Sequence, residues 1–329
     1  MADENGSGME TGAAGWRPRR DPASTHVVVL MGGWSAEREV SLASGQAVAA
    51  ALREAGYRVT EVDAKPVVVM ELAELAPDVV FNALHGTWGE DGKVQGVLES
   101  LGIPYTHSGV LASALAMDKH LSKLVFERSG IPVAEHRLIT PEQLLKGHPM
   151  KPPYVVKPVA EGSSVGVMVV RDENAAIDPR RLADLPLKDG KLMVERFVPG
   201  RELTCAVMGD VALGVLEIVP LKGGFYDYES KYAEGGSEHI CPAELPEKVY
   251  RRIQQHAVRA HKVLGCRGVT RADFRYDDSN GEDGELVILE VNTQPGMTST
   301  SLVPDIARQA GHSFAELVSW MVDDASVNR

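Results

Sequence analysis

Several signatures are missing from this chain, and each absence removes a class of chemistry. Its three cysteines, Cys205, Cys241 and Cys266, are odd in number, far apart and without a CxxC pair. Neither a disulfide framework nor a zinc site is therefore expected, and a reducing cytoplasm fits. The absence of GxxxxGK[ST] excludes a P-loop, and the absence of HExxH removes the commonest zinc hydrolases. No apolar run approaches the ~20 residues of a membrane span. Positive charge is also scarce: a formal net charge of -12 repels a phosphate backbone and argues against a nucleic-acid partner. It leaves room for one nucleotide held by a few lysines and a metal. No internal repeat is visible.

What is present suits a soluble globular protein, and 329 residues fit two or three domains. Residues 1–24 show no period and read as a flexible tail. Arg19 and Arg20 are not an export signal, because the apolar run that follows, Val27 to Met31, is too short. The run from His26 to Gly33 reads as a buried strand, with Ser35 capping a helix through about Ala55. Strands at Arg58–Val62 and Asp78–Leu84 extend an alternating βαβ pattern, which calls for a parallel sheet. Glu37 lies in the first turn of the first helix, where complementing the helix dipole is the plainer role and binding a cation the sharper one. His85 sits just past a strand's carboxyl end, where open α/β sheets place ligands, although a lone histidine is as often structural.

The pattern changes near Met117. MDKHLSKLVFERSG is expected to form an amphipathic helix with Leu121, Leu124 and Val125 inward and Lys119 near its start. YVVKP then carries Lys157 into the turn EGSSVG, where small residues let backbone N–H groups approach phosphate oxygens. Gly162, Ser164 and Gly166 match GxSxG, but a β-rich sequel replaces the strand-to-helix elbow a nucleophilic serine needs. Glu195 and Glu202 flank a Pro-Gly link. The glycine-punctuated, tyrosine-rich stretch starting at Lys222 has the length of a lid, with Lys231 and Tyr232 as substrate-covering candidates.

A hairpin closes the pattern. Gly268–Tyr276 alternates, putting Arg271, Asp273 and Arg275 on one face. In Val287–Asn292 the same alternation groups Ile288, Glu290 and Asn292 against Val287, Leu289 and Val291. If the polar faces coincide, Asp273, Glu290 and Asn292 make an all-oxygen cluster beside Arg271, suited to Mg2+ on a phosphate.

Taken in order, GGWSAEREVS, ALHGTWGEDGKVQG, ASALAMDKHLSK, VVKPVAEGSSVG, FYDYESKY, GVTRADF and LEVNTQPGMTSTSLVP closely resemble the D-alanine:D-alanine ligases of the ATP-grasp superfamily, over Val27 to Met321. The resemblance implies a mixed α/β, three-domain architecture: an N-terminal parallel βαβ substrate domain over 25–115, a central domain over 116–198, and a C-terminal domain over 199–329. It implies ATP and D-alanine as substrates, Mg2+ as cofactor with Mn2+ as a substitute, room for a monovalent cation, and a homodimer. By similarity Lys119, Lys157, Glu161 and Ser164 would serve the ATP phosphates, Glu195 with Arg196 to Val198 the adenine, and Glu202 the ribose. Asp273, Glu290 and Asn292 match the family's magnesium ligands. Glu37 would take the first D-alanine's ammonium, which overturns the dipole role, and His85 and Lys231 would contact substrate. Ser163 and Tyr232 would join Glu37 in a link that shuts the lid. Arg271 and the Gly296 N–H would face the oxyanion, and Ser301 with Leu302 the second carboxylate.

The departures, Trp34 and Gln294, are expected to be packing differences. Among rivals, ligases that make D-alanyl-D-lactate tend to carry histidine where Tyr232 stands. A biotin-dependent carboxylase would leave Glu37 and Ser301 without a role, and a non-catalytic nucleotide module should lack a lysine or a metal ligand.

Overall fold

The computed structural model describes residues 18–162, 166–175, 177–183, 185–221, 236–279, 281 and 283–329. Of the candidate site residues, Ser163, Ser164, Lys231 and Tyr232, together with the lid stretch 222–235, lie outside them.

The first strand, β1 (His26–Gly32), is the apolar run that the sequence announces, and Val27 to Leu30 are fully buried. It is the middle strand of a parallel sheet, flanked by β2 (Arg58–Ala64) and β3 (Val79–Asn82). A strand paired on both sides and covered on both faces reads as continuous hydrophobic sequence rather than as alternation. Helix α1 (Arg38–Glu54) follows β1, but Ser35 does not cap it. Glu37 occupies the N-cap position, while the Ser35 hydroxyl donates to the His85 carbonyl oxygen at 2.7 Å. The serine therefore joins the end of β1 to the end of β3, which brings Glu37 and His85 together.

Helices α2 (Val68–Leu75), α3 (Lys93–Leu101) and α4 (Val110–Met117) precede α5 (Lys119–Arg128). Asp118 caps α5, accepting from the His120 and Leu121 amides at 3.0 and 2.9 Å. Of the three residues expected inward on α5, Val125 packs against the core but the two leucines do not. Leu121 and Leu124 are exposed, whereas Lys119, Ser122, Lys123 and Phe126 are buried. The helix turns a polar stripe inward because buried carboxylates and carbonyls wait there for its lysines.

A four-stranded antiparallel sheet comes next, in the order β4 (His136–Ile139), β7 (Leu192–Arg196), β5 (Tyr154–Pro158), β6 (Met168–Val170), with the short helices α6 (Pro141–Lys146) and α7 (Pro179–Ala183) in its connections. The link after β7 leaves this sheet, and β8 (Arg201–Met208) enters a five-stranded antiparallel one ordered β10 (Ser237–Ile240), β9 (Val211–Pro220), β8, β11 (Val269–Asp277), β12 (Glu285–Asn292). Gly200 makes the crossing possible: its φ is +88°, and a Cβ there would stand 2.2 Å from the Tyr276 carbonyl oxygen. Helix α8 (Glu247–Val263) covers one face of this sheet, with Val249, Ile253 and Ala257 packed against Phe274, Ile288 and Val291. On the other side, α9 (Leu302–Gln309) and α10 (Phe314–Asp324) share one core with β1, β3 and α1. The parallel and five-stranded sheets are thus welded through a common apolar layer, and the site forms along the seam.

The β11–β12 ladder slips by one residue. Asp273 pairs with Glu290, but Phe274 pairs with Ile288, leaving Leu289 as the extra residue of a β-bulge. The expected grouping of Ile288 with Glu290 and Asn292 therefore fails. Past the bulge the parity inverts, and Ile288 joins Val291 and Leu286 in the core.

Candidate active site

Arg271, Asp273 and Arg275 alternate on one face of β11, and cross-strand pairing sets Asn292 opposite Arg271 and Glu290 opposite Asp273. The Asp273 carboxylate is held by three side chains. Arg271 forks it with Nε and a terminal nitrogen at 2.9 and 2.8 Å, Thr204 Oγ1 donates at 2.7 Å, and Asn292 Nδ2 donates at 3.1 Å. Such a bidentate arginine pair is strong and directional. Glu290 Oε2 lies 2.9 Å from Lys119 Nζ, which also donates to the Glu161 carbonyl oxygen at 2.6 Å. Burial pushes the Glu161 carboxyl up, with Lys119 opposing it.

This donor set fits Mg2+. Among the described residues no three histidine, cysteine, aspartate or glutamate side chains gather at one point. A metal would thus take two carboxylates and an amide oxygen, from Asp273, Glu290 and Asn292, and draw its other oxygens from substrate and water. That incomplete oxygen cage is how Mg2+ is held beside phosphates, whereas a resident zinc would ask for nitrogen or sulfur.

A cleft opens from these side chains toward the parallel sheet. Its walls include Glu37, His85, Glu90, Gly162, Arg271, Glu290, Asn292, Gln294, Gly296, Ser301 and Leu302. Glu37 is buried, and its carboxylate is crowded by glycine backbone: a Cβ on Gly86 would meet Oε2 at 2.2 Å and one on Gly162 would meet Oε1 at 2.9 Å. Gly162 therefore lies directly against the Glu37 carboxylate. His85 is buried and held at both ring nitrogens, Nδ1 3.0 Å from Glu90 Oε1 and Nε2 3.3 Å from Ser44 Oγ. Glu90 escaped the sequence reading although it stands in the same GEDG stretch that follows His85. An acid five residues on, across a glycine turn, was the available signal.

In the same cleft as Glu37, Ser301 precedes α9 with extended backbone, its hydroxyl 2.9 Å from the Thr298 amide and 2.8 Å from Thr298 Oγ1. A Cβ on Gly296 would come within 2.9 Å of Ser301 Oγ, so glycine keeps that loop close to the serine. Leu302 lines the same wall and is buried.

Glu195 belongs to a buried charge cluster. Its Oε2 lies 2.8 Å from Lys123 Nζ in an ion pair without a directed hydrogen bond, and Lys157 Nζ donates to Oε1 at 3.4 Å. Lys123 also donates to the Ile288 carbonyl oxygen at 3.2 Å. Burial works to raise the Glu195 carboxyl, yet two ammoniums outweigh it and hold it below the ordinary range. At Lys123 burial wins over Glu195, and the ammonium titrates below the usual lysine range. Lys123 was missed because an apolar stripe seemed to claim its helix.

Glu202 pairs with Arg275 at 3.3 Å, and Arg275 also donates to the Val198 and Gly200 carbonyl oxygens at 3.1 and 2.7 Å. Burial lowers the pKa of that guanidinium. Arg196 pairs with Glu285, and Val198 packs with Ala134 and Val287. The link from Arg196 to Glu202 is thereby fixed to β11 and β12.

Comparison with known proteins agrees with this geometry. Residues 125–323 match the family described as D-ala D-ala ligase C-terminus, and residues 66–108 the one described as D-ala D-ala ligase N-terminus. A D-alanine–D-alanine ligase B of Mesorhizobium japonicum is 60% identical over 93% of this chain and 99% of its own length. A D-alanine–D-alanine ligase of Chelativorans sp. is 62% identical over 92% and 99%. The crystal structure of the Bacillus anthracis D-alanine–D-alanine ligase superposes with a TM-score of 0.76 at 32% identity, covering 92% of this chain and 97% of that one, and its complex with ATP gives 0.73 at 29%. With the site geometry, two family models and relatives along nearly the whole length in accord, the chain belongs to the D-alanine–D-alanine ligase family and has its mixed α/β, ATP-grasp fold.

Proposed function

We propose that the chain joins two D-alanines into D-alanyl-D-alanine at the expense of ATP, for the cell-wall precursor, in the cytoplasm and as a homodimer. The observation that carries the reading is a cleft whose walls hold Arg271, Glu290 and Asn292 together with Glu37, His85, Gly296 and Ser301, with Lys119 reaching Glu290 and Asp273 held by Arg271. The family's chemistry needs those two sets of groups in contact.

A carboxylate is a poor acyl donor. Its oxygen first attacks the γ-phosphate of ATP, ADP leaves, and the acyl phosphate so formed carries a good leaving group. The free amine of the second D-alanine adds to the carbonyl carbon, and collapse of the tetrahedral adduct expels phosphate and leaves the amide. Phosphoryl transfer asks the protein mainly for position and charge neutralisation. Lys119 and Lys157 supply positive charge at the phosphates, and Asp273, Glu290 and Asn292 would hold Mg2+, or Mn2+ in its place, which would add charge neutralisation there. Glu37 holds the first ammonium beside His85. Arg271 and the Gly296 N–H face the oxyanion, and Ser301 with Leu302 receives the second carboxylate. Glu195 and the Arg196–Val198 link border the adenine and Glu202 the ribose. Glu161 and Ser164 would serve the phosphates, and Ser163, Lys231 and Tyr232 would close the site against water, which would otherwise hydrolyse the acyl phosphate. Tyr232, in place of histidine, favours the amide over the ester.

The test is mass spectrometry of products after incubation with ATP, Mg2+, D-alanine and an excess of D-lactate. The dipeptide with ADP and phosphate is expected; a depsipeptide as the main product, or ADP without condensation, overturns the reading. Omitting K+ in a parallel run decides the monovalent-cation requirement.

A further inference from the structure

Gln294 looks replaceable in the sequence, yet its side chain is engaged at both ends inside the molecule. It is 2% exposed. Its Oε1 accepts from Asn82 Nδ2 at 2.7 Å, and its Nε2 donates to the Leu84 carbonyl oxygen. Asn82, fully buried at the end of β3, is itself locked: Nδ2 also donates to the Gly89 carbonyl oxygen at 3.0 Å, and Oδ1 accepts from the Leu84 amide at 3.2 Å. On the far side of Gly296, the Met297 amide donates to Ser44 Oγ at 3.2 Å, and Ser44 stands against His85. Gly296 is thus suspended between two buried hydrogen-bond anchors, both fixed to the parallel-sheet unit that carries Glu37 and His85.

We propose that Gln294 is a positioning residue for amide formation, aiming the Gly296 N–H at the oxyanion, with Ser44 as its counterpart. This rests on the ligase reading given above. A glycine between two unanchored residues would sample many orientations, and an oxyanion donor is useful only when its direction is set before charge develops. The anchors do not touch the phosphate side, where Lys119, Asp273 and Glu290 are held by their own contacts. The two half-reactions should therefore separate. Formation of the acyl phosphate should persist, while attack by the amine slows and water competes.

Gln294→Met keeps the volume and removes both hydrogen bonds. For the full-length enzyme with ATP, Mg2+ and saturating D-alanine, dipeptide turnover should fall about tenfold to a hundredfold, the loss typical of a misplaced reacting group. The KM for ATP should stay within about twofold, and phosphate released per dipeptide should rise from about one to above two. Ser44→Ala, a smaller change, should raise the same ratio and decides the matter if Gln294→Met does not fold. A ratio that stays at one in the folded variants, whether or not turnover falls, overturns the proposal, because a merely structural loss lowers both steps together. A wild-type enzyme that releases phosphate without dipeptide would instead overturn the ligase reading.

Discussion

Asp273 and Glu290 are cross-strand partners, and the ladder between their strands slips immediately beside them. The extra residue at the bulge, Leu289, lets the rest of β12 return its apolar side chains to the core while Glu290 and Asn292 stay on the cleft face. Bulges recur where a strand must re-aim a side chain at a site.

From this pairing follows the behaviour of Glu290→Gln. The amide keeps the size but loses the charge that faces Lys119 and would face Mg2+. Loss of even a supporting partner of a metal ligand costs about 10- to 100-fold in affinity or activity, so the Mg2+ concentration for half-maximal turnover should rise at least about tenfold. A titration of activity against Mg2+ that superposes on wild type would remove Glu290 from the ligand set.

Arg271→Met should lower turnover by about 3 to 4 kcal/mol of transition-state stabilisation, as for other lost oxyanion donors, with ATP affinity spared. The fork onto Asp273 sharpens this. Arg271→Lys should recover little, because one ammonium cannot make two parallel hydrogen bonds and still reach the substrate. Near-normal kcat in either variant would sink the role.

Such pairs show how far the sequence is legible. The alternation of Gly268–Tyr276, the Val-rich β1 and the order of elements can be read directly, because period and burial are local properties of the chain. Ile288 cannot, since a bulge is decided by what packs on either side of it. Nor can α5 be read from its leucines: Lys123 is buried because Glu195, far along the chain, supplies a countercharge. Gln294 and Glu90 acquire meaning only when the β3 end and the 293–297 loop meet in space. What escapes the sequence is consistently a polar side chain whose partner is remote.

Lys123, Glu195 and Lys157 make a stability prediction with a sign. The Glu195 carboxyl is held below its ordinary range. Its contribution is therefore fully present above the unfolded value and is lost as pH falls through the folded one, in the acid range below the ordinary carboxylate value. Glu195→Gln leaves Lys123 buried without its countercharge and should cost about 3 to 5 kcal/mol near neutrality. Adding Lys123→Met should restore part of that. Thermal midpoints across pH should show a weaker acid dependence in Glu195→Gln, and a curve parallel to wild type would mean that the pair does not titrate with folding.

Under the proposed function, Glu37 serves the first D-alanine and Ser301 the second, and both line one cleft. Ser301→Ala removes a hydroxyl that would meet a carboxylate, an interaction worth about 1.5 to 3 kcal/mol when one partner is charged, so the Michaelis constant for the second D-alanine should rise about 10- to 150-fold with the first little changed. Glu37→Gln should do the reverse, since it weakens the first substrate's ammonium contact. Initial rates over a wide D-alanine range resolve the two constants. If Ser301→Ala moves the first constant instead, the acceptor lies on the Glu37 side and the direction of the reaction through the cleft is inverted. Gly296 would still serve either direction, because it lines the cleft that both residues share.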